Sequence, residues 1–159
     1  MKLLLKTIPL VSCLMANVSD AQGVPENLLA MYSMSGECSM FIYSGEKRPC
    51  KGTVLNTEYD YGRTGFYFID DSADGKIISF SGMGQEQVTP RENLILQPLD
   101  MIIENENQQH AVGFCTFENP FVGKARVECS AFLENGAMFS GFFLSDGSKP
   151  TVMYSKGDD

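Results

Sequence analysis

The sequence predicts an all-β domain, built as a disulfide-stapled antiparallel barrel or, alternatively, as an open two-sheet sandwich. Three observations support this prediction. Short apolar and aromatic segments alternate with Gly, Pro, Asn and Asp turn signals at a spacing that suits about eight to ten strands. No stretch after Tyr32 shows a convincing helical period. Four of the five cysteines form two pairs of similar spacing, Cys38 with Cys50 and Cys115 with Cys129.

The two cysteine pairs belong to a longer internal repeat. Residues 36–81 and 113–155 carry the same marks in the same order: Gly-x-Cys-Ser/Thr, a second cysteine, Gly-Phe-aromatic, Asp-Gly and an aromatic-Ser pair. The offset between corresponding marks stays between 72 and 79 residues. Because self-similarity at a fixed offset indicates a repeated structural unit, we predict two duplicated meander halves. In each half a disulfide would staple one hairpin.

Each element has its own local signal. Leu28 to Tyr32 follows a proline-containing leader and suits either one helical turn or a first strand. Gly82 to Asn93 is loop-like, and Pro98 indicates an edge or a bulge in the strand around it. Residues 125–133 alternate apolar and polar side chains, as a half-buried strand does, and Asn135-Gly136 after them favours a hairpin. The predicted strands are residues 38–43, 50–57, 65–69, 76–80, 94–104 (one long strand or two short ones), 111–117, 125–133, 137–144 and 150–154.

The first 21 residues are typical of an export signal. Two lysines precede a mainly apolar segment, and small residues before Ala21 suit a cleavage site. We therefore expect residues 1–21 to be removed and residues 22–159 to form a single β domain in the periplasm or outside the cell. An alternative is a lipoprotein, because the residues before Cys13 resemble a bacterial lipobox and would make Cys13 a lipid anchor.

Charge restricts the partners. Removing residues 1–21 takes away two lysines and one aspartate, which leaves 10 basic and 19 acidic residues and a net charge of −9. This charge opposes binding to nucleic acid or to an anionic membrane, since phosphate contacts need clustered lysine and arginine. No apolar run reaches the roughly 18 residues of a transmembrane helix, so no transmembrane span is predicted. The four cysteines that follow the signal are an even number in an exported chain, which favours two disulfides.

One turn resembles the start of a calcium-binding loop. Asp70, Ser72 and Asp74 offer alternating oxygen side chains, and Gly75 stands sixth, where such loops need a sharp turn. The match fails at position twelve, where Ser81 replaces the bidentate glutamate of calcium loops. The alternative is an ordinary Asp-Gly turn between two strands, which needs no metal. No cofactor other than calcium is suggested.

A second turn is the predicted recognition surface. Tyr59, Asp60, Tyr61 and Arg63 combine aromatic and charged side chains on a connection between strands, and connections carry function more often than strands do. Such a turn suits stacking on a sugar or contact with a protein. The polar tip Glu104 to Gln109 is the second candidate surface.

The function predicted from these features is an exported cell-envelope binding or inhibitory module without catalytic activity. The single histidine, His110, follows a polar tip, and no nucleophile elbow accompanies it, so a catalytic triad is not indicated. The partner would be a protein or a glycan, and the acidic surface favours a basic one. Small exported β-barrels that inhibit host lysozymes or proteases are similar in size, charge and disulfide use. The alternatives are a hydrolase that works with two carboxylates and a calcium-stabilised structural protein.

Overall fold

The computed structural model describes residues 24–42, 46–72 and 75–157, which form ten β-strands and one short 3-10 helix. The expected export signal, with Cys13, lies outside the described residues. The strands are β1 (Leu28–Ile42), β2 (Glu46–Tyr59), β3 (Arg63–Asp70), β4 (Ile77–Met83), β5 (Val88–Arg91), β6 (Leu94–Glu104), β7 (Asn107–Glu118), β8 (Arg126–Leu133), β9 (Met138–Ser145) and β10 (Thr151–Ser155).

Eight of these strands close into an antiparallel barrel, which confirms the predicted fold class and favours the barrel over the sandwich. Neighbours in the ring follow the order β1-β2-β3-β4-β6-β7-β8-β9, and β9 pairs back onto β1. The 15 residues of β1 also leave room for β10, which pairs with the first part of the same strand. β5 pairs with β6 and is not a member of the ring.

The barrel interior is a packed core made by the alternate residues of each strand. β9 shows this most clearly, because every second residue from Phe139 to Ser145 is buried and the others are half-buried. Four phenylalanines are almost completely buried and fill much of the interior: Phe68, Phe80, Phe139 and Phe143. An eight-stranded barrel has an interior of about the width that side chains can fill, so this core stabilises the closed ring.

One glycine makes that packing possible across the barrel. Gly141 lies on β9 and Phe68 on β3, two strands that are not neighbours in the ring. A Cβ atom at Gly141 would lie 2.7–2.9 Å from three ring atoms of Phe68. The absence of a side chain at Gly141 therefore gives the Phe68 ring its place in the core.

Both predicted disulfides are present, Cys38–Cys50 between β1 and β2 and Cys115–Cys129 between β7 and β8. Cys115 and Cys129 are direct cross-strand partners and are buried. Two disulfides fit a protein that resides outside the cytoplasm. No helix in the described part of the chain has the length and apolarity that a bilayer crossing requires.

Three parts of the chain have a structure that the sequence left open or predicted differently. Leu28 to Tyr32 belongs to β1, so the first-strand alternative is correct and the helical turn is wrong. The predicted loop Gly82 to Asn93 contains the 3-10 turn Gly84–Glu86 and β5, because Val88 and Arg91 pair with β6. The two repeats supply β1–β4 and β7–β10, but their fourth strands differ: β4 pairs with β3, whereas β10 pairs with β1. The duplicated origin stays a prediction.

The barrel has two different ends. One end, which we call the mouth end, contains the connections 60–62, 84–93, 119–125 and 146–150. The base end is the opposite one, where β1 connects to β2, β3 to β4, β6 to β7 and β8 to β9. The longer connections lie at the mouth end, and longer connections on a rigid scaffold are the usual position of a binding site.

Candidate functional site

Two ion pairs lie at the base end of the barrel. The Arg48 guanidinium lies 3.3 Å from the Asp70 carboxylate, and the Lys76 ammonium lies 2.9 Å from the Glu104 carboxylate. The Asp70 side chain has no exposed surface. Because a buried carboxylate is stable only when it is paired, the Arg48–Asp70 pair is part of the structure of this end.

The pKa of Asp70 reflects these contacts. Burial by itself would raise the pKa of the carboxyl group. The hydrogen bond that the Ser72 backbone N–H donates and the neighbouring Arg48 guanidinium outweigh that effect and hold the pKa below its ordinary 3.8. Asp70 is therefore an anion that the fold uses for its own stability.

The predicted calcium loop begins at this same residue. Asp70 Oδ1 accepts the Ser72 N–H at 2.8 Å and Oδ2 accepts from Arg48, so both oxygens already have protein partners. Asp74 lies outside the described residues. Among the described residues, no group of three or more His, Cys, Asp or Glu side chains could hold a metal ion. Calcium at this turn stays a prediction, and the geometry gives Asp70 a structural role.

The predicted recognition turn lies at the mouth end. The Tyr59 and Tyr61 rings are 5.6 Å apart and tilted by 31°, and Tyr61 is 51% exposed. Asp60 is also exposed, 3.9 Å from the Lys156 ammonium. Gly62 has φ of +86°, so the sharp turn requires a glycine at that position. The structure thus presents Asp60 and Tyr61 to solvent.

Tyr59 is held more firmly than Tyr61. Its hydroxyl lies 3.3 Å from the hydroxyl of Tyr67 on β3. Burial raises the pKa of Tyr59 well above its ordinary 10.0, and the contact with Tyr67 raises it further. The ring of Tyr59 therefore acts as a fixed support against which Tyr61 packs.

Arg63 holds the turn to the barrel wall. Its guanidinium donates two parallel hydrogen bonds to the Asp100 carboxylate, at 2.7 and 2.9 Å, and a third to Ser81 Oγ at 3.2 Å. These hydrogen bonds from Arg63 lower the pKa of Asp100. Because the fork of the guanidinium is already engaged, Arg63 positions the turn, and Asp60 and Tyr61 provide its exposed groups.

The mouth end also contains a cavity of about 190 Å³ that sequence reasoning missed. Its apolar lining comes from Met34, Phe66, Ile95, Phe117 and Val127, which lie on five different strands. These residues meet only when the ring closes, so no local motif in the sequence could have indicated them. An apolar cavity in the mouth of a β-barrel is a common position for a binding site.

Polar groups of β2 line the same cavity. Asn56 donates its side-chain amide to the Gly65 carbonyl at 3.1 Å, which fixes the orientation of Asn56. Glu58 is exposed at the rim, two residues further along the same face of the strand. A second carboxylate, that of Glu118, also lines the cavity, and it accepts the Arg126 backbone N–H at 3.0 Å.

The connection 119–125 forms one side of the rim. Asn119 starts it with a local turn, because its side-chain oxygen accepts the Phe121 N–H at 2.9 Å. The Phe121 ring then packs edge-on against Tyr32, with ring centroids 5.8 Å apart, and is still 52% exposed. The mouth therefore carries two exposed aromatic rings, those of Phe121 and Tyr61.

The second predicted surface lies at the other end of the molecule. In the tip Glu104 to Gln109, Glu104 is paired with Lys76, and residues 105–108 are exposed at the base end. Because this tip and the Tyr59 to Arg63 turn lie at opposite ends of the barrel, they do not form one contact surface. His110 follows on β7 and is exposed.

These features define a class of protein: a closed, disulfide-stapled eight-stranded barrel with ion pairs at one end and a cavity at the other. Comparison with protein-family models, with curated protein sequences and with solved structures finds no match. The function is therefore inferred from the site alone.

Proposed function

We propose that this protein is an exported, non-catalytic binding or inhibitory module of the cell envelope that contacts a protein partner through its mouth end. The observation that carries the proposal is the exposure of Tyr61 and Phe121 at the mouth end of the barrel, where Phe121 also lines the cavity. Aromatic side chains are enriched in protein interfaces, because they bury a large area at a small cost in conformational entropy.

Charge supports a basic partner. Asp60 and Glu58 are exposed at the mouth, and the chain carries a net charge of −8. Electrostatic complementarity of this kind speeds association with a positively charged surface and disfavours nucleic acid. A glycan that stacks on Tyr61 is the other partner that this surface suits.

The export route is part of the proposal. The two disulfides support a location outside the cytoplasm, and the finer assignment to the periplasm or the secreted fraction depends on the segment 1–21. Mass spectrometry of the protein from envelope fractions tests it. A chain that begins near Gln22 is expected, a diacylated Cys13 would support the lipoprotein alternative, and a chain that retains Met1 would contradict both.

Capture experiments with matched variants test the binding role. The immobilised protein, its Tyr61→Ala and Phe121→Ala variants and a Gln108→Ala control at the base end are exposed to envelope and extracellular extracts. All three side chains are exposed, so the variants should fold alike. We expect a partner that the control retains and both mouth variants lose. A partner that every variant retains would contradict binding at the mouth.

A second candidate function has one observation in its favour. Glu58 and Glu118 line the same cavity, and glycoside hydrolases work with two carboxylates on either side of the scissile bond. The cavity of about 190 Å³ is smaller than the roughly 300 Å³ at which pockets for small molecules usually begin, so it would not enclose a glycoside, whereas a protein partner can contact the rim without entering it. Turnover of a chromogenic glycoside by the protein, lost in both Glu58→Gln and Glu118→Gln, would establish the hydrolase instead.

A further inference from the structure

We propose that the mouth cavity binds an alkyl or arylalkyl ammonium group, with its apolar part inside the cavity and its charge at Glu58. A free amine and the side chain of a lysine share this chemistry. The inference rests on the proposed function and deepens it, because it names the group that the mouth takes from a basic partner.

The volume and the lining of the cavity limit the size of the apolar group that the ligand can carry. A cavity of about 150 Å³ lined by apolar side chains can enclose a benzene molecule. The mouth cavity measures about 190 Å³, and Met34, Phe66 and Ile95 are among its apolar lining residues. One small ring or one short alkyl chain therefore fits, whereas a large lipid or a sugar chain does not.

The polar groups of the cavity indicate that the ligand carries a positive charge. Asn56 uses its amide nitrogen to bond the Gly65 carbonyl, and its Oδ1 accepts no hydrogen bond from any described residue. Glu58 forms no ion pair with any described residue, and none of the described residues that line the cavity is a lysine, arginine or histidine. The cavity thus offers acceptors and a negative charge, which an ammonium group with its three donors satisfies.

The position of Glu58 fixes the orientation of the ligand in the cavity. Asn56 and Glu58 lie on the same face of β2, and Glu58 is the cross-strand neighbour of Thr64 and Ala30, one residue before β2 ends at the mouth. An ammonium group at Glu58 would therefore stay partly in water while its apolar chain reaches toward Phe66. This geometry avoids the large cost of burying an isolated cation.

The direct test is a titration of the folded, disulfide-bonded protein with benzylamine, followed by the NMR shifts of its backbone amides. Benzyl alcohol is the uncharged control of similar shape. We expect saturable shifts around the mouth, with benzylamine binding about tenfold more tightly than benzyl alcohol, as one charge-assisted hydrogen bond would give. Added salt should weaken the binding of benzylamine and leave the binding of benzyl alcohol unchanged.

Matched variants separate the local contact from the overall charge. Glu58→Gln should remove the tenfold preference for benzylamine, whereas Glu106→Gln at the base end makes the same change in net charge and should leave it intact. Equal binding of the two probes, equal effects of the two variants, or the absence of shifts at the mouth would each overturn the inference.

A second pair of probes identifies the source of the ligand. N-acetyl-lysine methylamide, with the glutamine analogue as its neutral control, represents a partner's side chain. Tighter binding of this amide than of benzylamine assigns the site to a protein partner, and the reverse assigns it to a free amine.

If neither cation binds while Tyr61→Ala still abolishes partner capture, this inference fails and the proposed function stands. If benzylamine binds but no partner depends on Tyr61, the proposed function fails instead.

Discussion

Gly141→Ala gives the sharpest test of the closed barrel. The new Cβ would lie 2.7 Å from the nearest ring atom of Phe68, about 0.7 Å closer than the 3.4 Å at which ordinary contacts begin. Phe68 is fully buried in a filled core, so its ring has little room to move. Overpacking of this kind costs about 1–3 kcal/mol, which exceeds the gain of about 0.4–1 kcal/mol from a less flexible unfolded chain. We expect a lower free energy of unfolding, measured by urea denaturation.

Two further variants isolate the cause. Gly123→Ala places its Cβ where no atom lies within 4 Å, so it should be neutral or slightly stabilising. In a Phe68→Leu background the clash is relieved, and Gly141→Ala should cost about 1 kcal/mol less than it does alone. Additive effects of the two substitutions would refute the contact between β3 and β9, and with it the packing across the barrel.

Three other measurements test the remaining structural roles. Asp70→Asn should lower the free energy of unfolding by about 1–2 kcal/mol at neutral pH, because it removes the anion that accepts from Arg48, while Arg48 is partly exposed and keeps Glu46 as a second partner. Since folding lowers the pKa of Asp70 below 3.8, this contribution is present above that pH and should shrink as the pH falls below it; a difference that is independent of pH would contradict the pair. Replacing both Cys115 and Cys129 by alanine should cost about 2–4 kcal/mol in urea denaturation, and an unchanged midpoint would show that the bond adds no stability. Tyr59 should stay un-ionised at pH 10, the ordinary pKa of a tyrosine, because folding raises its pKa above 10.0; an ultraviolet titration in which the Tyr59→Phe variant loses absorbance change near pH 10 would contradict this.

Much of the fold could be predicted because its signals are local. Alternating side chains predicted β8, the Asn135-Gly136 turn predicted its hairpin with β9, and the spacing of Cys115 and Cys129 suited a bond between adjacent strands. Each of these signals depends on residues close together in the chain. The closure of the ring does not, since β9 pairs with β1 about a hundred residues earlier.

The candidate site could be predicted only in part, for the same reason. The Tyr59 to Arg63 turn is a contiguous segment, and the sequence showed its aromatic and acidic residues. Two facts about it depend on the tertiary structure: Asp100 engages Arg63, and the tip Glu104 to Gln109 lies at the opposite end. The mouth cavity joins side chains of six strands, so its composition follows from the barrel and from no motif.

Asp70 has a structural role that its sequence motif does not encode. An Asp-x-Ser-x-Asp-Gly run suggests a metal site, because the pattern offers oxygen side chains at alternate positions. In the structure, the alternation of β3 directs Asp70 into the barrel, where Arg48 pairs with it. Strand position, which the motif does not encode, decides what the carboxylate binds.

Site-specific photo-crosslinking in the cell tests most directly whether the mouth end is the binding end. A photoreactive phenylalanine analogue is placed at position 61 or 121 at the mouth, and at position 108 or 135 at the base. All four residues are exposed, so a photoreactive group at any of them is free to react. The proposed binding role predicts a discrete crosslinked partner from positions 61 and 121 and none from positions 108 and 135. Crosslinks from the base positions alone would contradict binding at the mouth.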